Sequence, residues 1–316
     1  MRILLLLLAL SASGLAFYFE KVEGPASLQD PHEAFLETVQ KAVKLLNHSE
    51  LVFGGQRAAL GDFPTQAYLS YRSRQGGSYI CGASLLTATH VVTAAHCAYD
   101  LISGQLLFGS VDLDQKGPNA QARQVSGKVV HSGYAPNSQQ IQNDIAVLEF
   151  QPAVTINRYV QLSKIPSNDV PVLESGKAIV SGFGTYTFQN GESVTSRYLL
   201  YAEVDLVLKS VCRQRWSGAP IADSQLCAGS RGRGVGPGDS GGPMQVRHGG
   251  QFYEVGLASF VYDDQQTMQY GQDRVPNVFT RVSSFCSFMQ QAASGFRCVD
   301  VGGSGPGTGT GECPTL

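Results

Sequence analysis

The chain has 316 residues, of which 43% are hydrophobic and 15% are charged, and its formal net charge is −2. This length is ample for a large core. The nearly balanced charge argues against a nucleic-acid partner and against binding to an anionic membrane surface.

The N-terminus has the pattern of a secretory signal peptide. Arg2 is followed by an apolar run from Ile3 to Leu10, and small residues then permit cleavage after Ala16. The run is too short for a bilayer, which takes about 20 apolar residues. Residues 1–16 therefore predict secretion to the extracellular space and no stable membrane insertion. The 7 cysteines of a secreted chain predict disulfides, with one cysteine left over.

Residues 17–51 predict one amphipathic helix. Asp30 and Pro31 are typical of a helix start. Apolar residues then recur at helical spacing at Leu36, Val39, Val43 and Leu46. Asn47 begins an Asn-His-Ser glycosylation sequon.

From residue 52 the pattern changes to short strands separated by turns. Alternating apolar residues and frequent Gly, Asn and Pro predict antiparallel β structure, in a sandwich or a barrel. The predicted strands include 67–71, 84–86, 105–108, 145–150, 178–181 and 255–260. A helix over 283–293 closes this region. Residues 299–316 are rich in Gly, Thr and Pro and predict a disordered tail.

Three short motifs carry candidate chemistry. The stretch 238–243 reads Gly-Asp-Ser-Gly-Gly-Pro, in which glycines allow close backbone approach and Ser240 is a candidate nucleophile. The N–H groups of Gly238 and Ser240 are candidate donors to an oxyanion. A serine hydroxyl needs a base and the base needs an orienting carboxylate. His96 in Thr-Ala-Ala-His-Cys and Asp144 in Asn-Asp-Ile-Ala-Val-Leu are the candidates.

These three motifs, in this order, resemble the chymotrypsin/trypsin family of serine endopeptidases, from about Val52 to Ala293. The resemblance implies an all-β fold of two antiparallel six-stranded β-barrels with a C-terminal helix. It implies His96 as general base and then acid, Asp144 as its orienter, and Ser240 as the nucleophile of acyl transfer. It also implies protein or peptide substrates, and it requires no metal or other cofactor.

The family resemblance extends to activation by cleavage. Val52-Phe53-Gly54-Gly55 resembles the mature start of family members, so residues 17–51 read as a propeptide and 52–298 as the protease domain. The new amine of Val52 would pair with Asp239 and order the oxyanion loop. Leu51 replaces the basic residue that usually precedes this junction, which makes a trypsin-like activating protease an unsuitable partner.

The resemblance also implies disulfides, although the family's set is thinned here. It implies Cys81–Cys97 and Cys212–Cys227. Gly236 stands where another bridge would begin, and Ala178 and Val246 replace both halves of a further one. The remaining cysteines, Cys286, Cys298 and Cys313, fit no common family pairing. We favour Cys286–Cys298, with Cys313 free or intermolecular.

Substrate preference depends on four pocket positions. By alignment to the family motifs, Gly234 lies at the pocket base, where trypsins carry aspartate. Ser259 and Val261 belong to the pocket wall, and Ser259 also hydrogen-bonds Asp144. Val261 and Asn277 each replace a glycine of the pocket wall. Val261 should narrow the entrance of the pocket, and Asn277 should shorten the pocket. These positions predict a small or medium uncharged residue before the scissile bond. The alternative is a basic residue, attracted by aspartates of the adjacent loop at Asp263, Asp264 and Asp273.

The sequence also bears on two other function classes. A catalytically inactive binding protein on the same scaffold is the main alternative, because fold alone does not determine function. The complete triad opposes it. A lipase or esterase is excluded because the serine motif is not a nucleophile elbow and the triad order differs. We expect a monomer.

Overall fold

The computed structural model describes residues 5–11, 14–20, 52–136, 141–217 and 219–301. The chain divides into two compact units, 1–49 and 50–316. In the first unit, strands β1 (Leu5–Ser11) and β2 (Gly14–Glu20) pair antiparallel. The helix predicted after Asp30 and the sequon at Asn47 lie outside the described residues. Among the helices that the structure describes, none is long and apolar enough to cross a membrane.

The second unit begins with a short strand, β3 (Gln56–Arg57), and continues into a closed barrel of six antiparallel strands. The pairing order is β4-β5-β6-β9-β8-β7. Alternate side chains point inward, as a barrel requires, and Leu69, Leu106 and Phe150 are fully buried in its core. The strands are β4 (Gln66–Ser73), β5 (Ser78–Thr87), β6 (His90–Thr93), β7 (Leu101–Phe108), β8 (Gln121–Val130) and β9 (Ala146–Gln151).

A second ring of six antiparallel strands closes because its first strand pairs with two others of the ring. Strand β3 attaches outside this ring, and a separate hairpin stands beside it. The ring strands are β10 (Lys177–Gly182), β13 (Leu200–Val207), β14 (Gln225–Ala228), β15 (Pro243–His248), β16 (Gln251–Phe260) and β17 (Asn277–Arg281). The hairpin strands are β11 (Thr185–Gln189) and β12 (Glu192–Thr195).

Short helices connect and close the barrels. The described helices are α1 (Ala95–Ala98), α2 (Val170–Leu173), α3 (Lys209–Arg215), α4 (Gln265–Tyr270), a 3-10 turn (Val282–Phe285) and α5 (Cys286–Ala292). The last of these is the C-terminal helix that the sequence predicts. Met289 packs in one cluster with Val92 of the first barrel and Leu257 of the second. The predicted fold of two six-stranded barrels with a C-terminal helix is confirmed.

The C-terminal tail departs from its prediction at its start. The Val299 N–H donates to the carbonyl of Ile165 at 2.8 Å, and its carbonyl accepts from the Ser167 N–H at 2.8 Å. Val301 packs against the core of the second barrel. The expectation of disorder from Val299 is wrong for 299–301, because backbone bonds and apolar contacts hold them. The remainder, 302–316, lies outside the described residues.

The described residues contain three disulfides, Cys81–Cys97, Cys212–Cys227 and Cys286–Cys298. Cys313 lies outside the described residues. The absent family bridges are replaced by packing. Ala178 and Val246 are both buried in the core of the second barrel. A Cβ built on Gly236 would lie 2.7 Å from the ring of Phe53, so that ring occupies the space a cysteine side chain would need.

Candidate active site

His96 is held by the wall of the first barrel. It lies in α1, directly after β6, and the neighbouring Cys97 is bonded to Cys81 of β5. This disulfide ties the short helix to the sheet, since four residues make too little helix to be stable alone. The imidazole is 31% exposed and is accessible at the site.

Asp144 is a buried carboxylate that accepts hydrogen bonds from both barrels. Its Oδ1 accepts from the His96 backbone N–H at 3.0 Å, and its Oδ2 lies 2.8 Å from His96 Nδ1. Ser259 of β16 donates to the same Oδ2 at 2.6 Å. The Thr280 hydroxyl donates to the Asp144 carbonyl at 2.8 Å. The hydrogen bond that the sequence predicts between Ser259 and Asp144 is therefore present, and the imidazole is oriented through its Nδ1.

The two groups shift one another's protonation in opposite directions. Desolvation disfavours the imidazolium, but the charge and hydrogen bond of Asp144 outweigh it and raise the pKa of His96 above its usual value. Burial opposes ionisation of Asp144, yet the His96 charge and the bonds from His96 and Ser259 hold the pKa of this carboxyl below its usual value. The arrangement therefore stabilises a protonated His96 beside an ionised Asp144.

The glycine-rich loop brings Ser240 against the first barrel. The Gly82 N–H donates to the Ser240 carbonyl at 2.8 Å, next to the cysteine that bonds Cys97. Gly241 has a φ of 73°, and a Cβ there would lie 2.1 Å from Thr93 Oγ1, so this close approach requires glycine. Among the described residues, no hydrogen bond joins the Ser240 hydroxyl to His96. In free enzymes such a bond is often long and tightens only with substrate.

Two backbone N–H groups beside Ser240 are available to an anion. Within the described part of the chain, neither the Gly238 nor the Ser240 N–H donates to a protein acceptor. Gly238 has a φ of 95°, and a Cβ there would lie 2.9 Å from Ile80 Cδ1. Both residues are only partly buried. Two unpaired donors beside a nucleophile are what stabilisation of a tetrahedral oxyanion requires.

Asp239 is a buried carboxyl in the same loop as Gly236, which packs against Phe53. It accepts from the N–H groups of Gly184 at 2.8 Å and Gly236 at 3.0 Å, and burial raises its pKa to about 6. Val52 is 1% exposed and shares a core cluster with Val235, which lies in the same loop as Asp239. Val52 also has a φ of 49°, which is strained for a β-branched residue. Cleavage before Val52 would remove that constraint.

The predicted pocket positions lie together. A Cβ built on Gly234 would lie 2.1 Å from Asn277 Oδ1, so Asn277 occupies the space of a side chain at 234. The same oxygen accepts from the Val235 N–H at 3.0 Å, which fixes the Asn277 amide. Val261 is half-buried at the end of β16. Gly234 and Asn277 are both buried.

Two clefts flank this centre, and most of their lining residues lie outside the sequence motifs. One, of about 800 Å³, continues from Val261 and is walled by Trp216, Phe260 and Tyr262. Trp216 packs edge-on against both other rings. The other cleft, of about 620 Å³, includes Tyr79 and reaches Gly238. Trp216 is the chain's single tryptophan, which is the one sequence signal that pointed to it.

The donor set beside His96 does not suit a metal ion. The imidazole and the sulfurs of Cys81 and Cys97 lie within 4.8 Å of one another. Both sulfurs are in a disulfide, and metal coordination requires thiolates.

Comparison with known proteins places this fold and site in a family. The family model described as Trypsin matches residues 52–289. The chain belongs to the trypsin family. Chymotrypsin-like elastase family member 1 of Rattus norvegicus is 32% identical over 240 residues, covering 75% of this chain and 88% of the relative. The protein of the same name from Bos taurus is 30% identical over 243 residues, covering 76% and 89%.

A more distant relative is named as a serine protease. CLIP domain-containing serine protease B10 of Anopheles gambiae is 28% identical over 263 residues, covering 77% of this chain and 70% of the relative. The chain is thus a serine-type endopeptidase of the trypsin family, a hydrolase whose substrates are proteins.

Proposed function

We propose that the trypsin-family protease described above is a secreted enzyme made as a zymogen. In this proposal His96, Asp144 and Ser240 form its catalytic triad, and a small or medium uncharged residue precedes the scissile bond. The observation that carries the proposal is the Asp144 carboxylate, which binds His96 through two hydrogen bonds and Ser259 through a third. Because Nδ1 of His96 is bonded to Asp144, its other ring nitrogen, Nε2, is available to a serine hydroxyl.

The proposed reaction is acyl transfer to water. Ser240 Oγ attacks the peptide carbonyl carbon while His96 Nε2 takes the hydroxyl proton. The negative charge that develops on the carbonyl oxygen is bound by the N–H groups of Gly238 and Ser240. His96 then gives its proton to the leaving amine, and water hydrolyses the acyl-enzyme by the same steps in reverse. Asp144 stabilises the imidazolium throughout, which agrees with the raised pKa of His96.

Activation would follow cleavage between Leu51 and Val52. The burial of Val52 beside Val235 and the buried, cation-free environment of Asp239 within the described residues support an ion pair formed by the new amine. The activating protease would accept Leu51 and is therefore not trypsin-like. Residues 1–16 would be removed as a signal peptide and 17–51 as the propeptide, with Asn47 glycosylated in an extracellular, monomeric precursor.

The proposed preference for a small residue rests on the pocket base. Asn277 fills the space beside Gly234, and Val261 stands at the wall. A basic residue is the alternative: Asp264 is engaged as the N-cap of α4, where it accepts from the Thr267 N–H at 2.7 Å, whereas Asp273 Oδ1 is buried without a hydrogen-bond partner among the described residues. Relatives that carry the elastase name agree with a small-residue preference.

The test combines processing with active-site labelling. The mature protein is purified, its N-terminus is sequenced, and it is treated with a fluorophosphonate probe that labels active serines. We expect a Val52 start, labelling of the wild type and none of Ser240→Ala. A correctly processed, folded protein that never labels would instead identify a catalytically inactive binding protein. A peptide library then reports specificity, and a strong arginine preference would overturn the small-residue proposal.

A further inference from the structure

The base of the specificity pocket is filled by a residue outside every motif. Gln272 is 1% exposed and lies beneath two glycines. A Cβ built on Gly234 would lie 3.0 Å from Gln272 Cγ, and one built on Gly229 would lie 3.0 Å from Gln272 Cβ. These distances are tighter than ordinary contacts between packed carbons. The Gln272 side chain therefore occupies part of the space that side chains on Gly229 and Gly234 would need.

Short-range bonds hold Gln272 in this position. Its Nε2 donates to the carbonyl of Met268 in α4. The C-terminal end of that helix is closed by a hydrogen bond of 2.8 Å from the Gly271 N–H to the Thr267 carbonyl. Asp264 caps the start of the same helix. The side chain is thus anchored at its amide and cannot retreat from Gly234 without breaking a buried hydrogen bond.

The two polar atoms of the Gln272 side chain are not both hydrogen-bonded. Its Oε1 is buried and has no hydrogen-bond partner within the described ranges. A buried acceptor without a partner is unfavourable to folding. What the side chain does supply is volume at one point, between Gly229 and Gly234.

We propose that Gln272 is a positioning residue that determines specificity by setting the depth of the pocket. Its side chain and that of Asn277 together occupy the space that a side chain on Gly234 would take. This inference rests on the proposed location of the pocket at Gly234. It narrows the substrate class to chains with Ala, Ser, Thr or Val before the scissile bond. Leu, Met and aromatic side chains need the volume that Gln272 and Asn277 occupy.

The experiment measures kcat and KM for peptides that differ only at the residue before the scissile bond, with Ala, Val, Leu, Phe or Arg there. Four activated proteins are compared: wild type, Gln272→Ala, Gln272→Met and Gln266→Ala. The last is a matched control, because Gln266 is an exposed glutamine of the same helix. Active-site titration and thermal unfolding establish that equal amounts of folded enzyme are compared.

We expect Gln272→Ala to raise the Leu-to-Ala ratio of kcat/KM about tenfold, the lower end of the effect of a methylene in an apolar pocket. The change should come through KM for the Leu peptide, with kcat for the Ala peptide nearly unchanged. Gln272→Met keeps the volume and should keep the wild-type ratio, as should Gln266→Ala. If Gln272→Ala does not fold, Gln272→Ser provides the same truncation with a hydroxyl.

Two failures are distinguishable. A wild type that favours Arg or Phe over Ala would overturn the proposed small-residue preference, whatever Gln272 does. A wild type that favours Ala, with an unchanged Leu-to-Ala ratio in folded Gln272→Ala, would overturn the role of Gln272 alone. Equal changes in Gln266→Ala and Gln272→Ala would also overturn it, since the effect would then come from the helix.

Discussion

Replacing Glu254 with glutamine should make the protease more stable at alkaline pH. Glu254 is 0% exposed and lies in β16 of the second barrel. The hydroxyl of Ser163, in the segment that connects the barrels, donates to its Oε2. Its Oε1 and the hydroxyl of Ser84 are both buried, and hydrogen bonding from Ser163 and Ser84 offsets only part of the effect of burial on the pKa of Glu254. A carboxylate here is therefore buried without a cation bonded to it, among the residues described.

The size of the effect follows from the shift in protonation. Burial raises the pKa of Glu254 from 4.5 to about 7. The folded protein thus binds this proton more tightly than the unfolded chain does. The resulting stability is fully present below pH 4.5 and is lost as the pH rises to 7. At about 1.4 kcal/mol for each pKa unit, the loss is about 3 kcal/mol.

Glu254→Gln cannot ionise, so it should keep the stability that the wild type loses. We expect its free energy of unfolding to exceed that of the wild type by as much as ~3 kcal/mol above neutral pH. The two proteins should converge at acidic pH, where both side chains are neutral. Because all other groups are common to both proteins, the difference between their pH profiles isolates Glu254.

The assay is urea unfolding followed by fluorescence across a range of pH, with Ser240→Ala in every protein to prevent self-cleavage. Glu149→Gln is the matched control, since Glu149 is an exposed residue of β9, and its profile should follow that of the parent. A difference between Glu254→Gln and its parent that does not vary with pH would refute the reasoning. So would a variant that is less stable than its parent above neutral pH.

Three further predictions concern the pocket, the C-terminal helix and activation. Gly234→Asp alone should not create cleavage after arginine, because its Cβ would lie 2.1 Å from Asn277 Oδ1. Adding Asn277→Gly should create that cleavage. Equal activity of the single and double variants on arginine peptides would contradict this. Replacing Cys286 and Cys298 together with alanine should lower the free energy of unfolding by about 3 kcal/mol, as loop closure over this separation implies, measured by urea unfolding. Asp239→Asn should be processed normally yet lose fluorophosphonate labelling, because an amide cannot pair with the new amine; full labelling would exclude the ion pair.

Much of the candidate site could be predicted because catalysis constrains short stretches of sequence. Ser240 needs glycines around it, since Gly241 approaches Thr93 too closely for any side chain. His96 precedes the cysteine that fastens its helix to β5. These requirements act within a few residues and therefore leave motifs. The strands could be located for a similar reason, because inward and outward side chains alternate along each barrel strand.

Other features carry no local signal, because they depend on which surfaces meet after folding. Gln272 and Glu254 are polar residues that sequence alone would assign to the exterior, and both are buried by packing between distant segments. Val299 continues a segment that becomes glycine-rich, yet backbone hydrogen bonds to Ile165 and Ser167 hold it.

The sequence by itself determined the family and the proposed chemistry, because a nucleophile, a base and a carboxylate each require particular neighbours in the chain. Only the tertiary structure decided the depth of the proposed pocket and which polar groups, Gln272 and Glu254 among them, are buried. The depth of this pocket is the space left by two side chains that lie against Gly234. They are Asn277 of β17 and Gln272, which follows α4. That space depends on contacts between residues far apart in sequence, which no spacing of residues records.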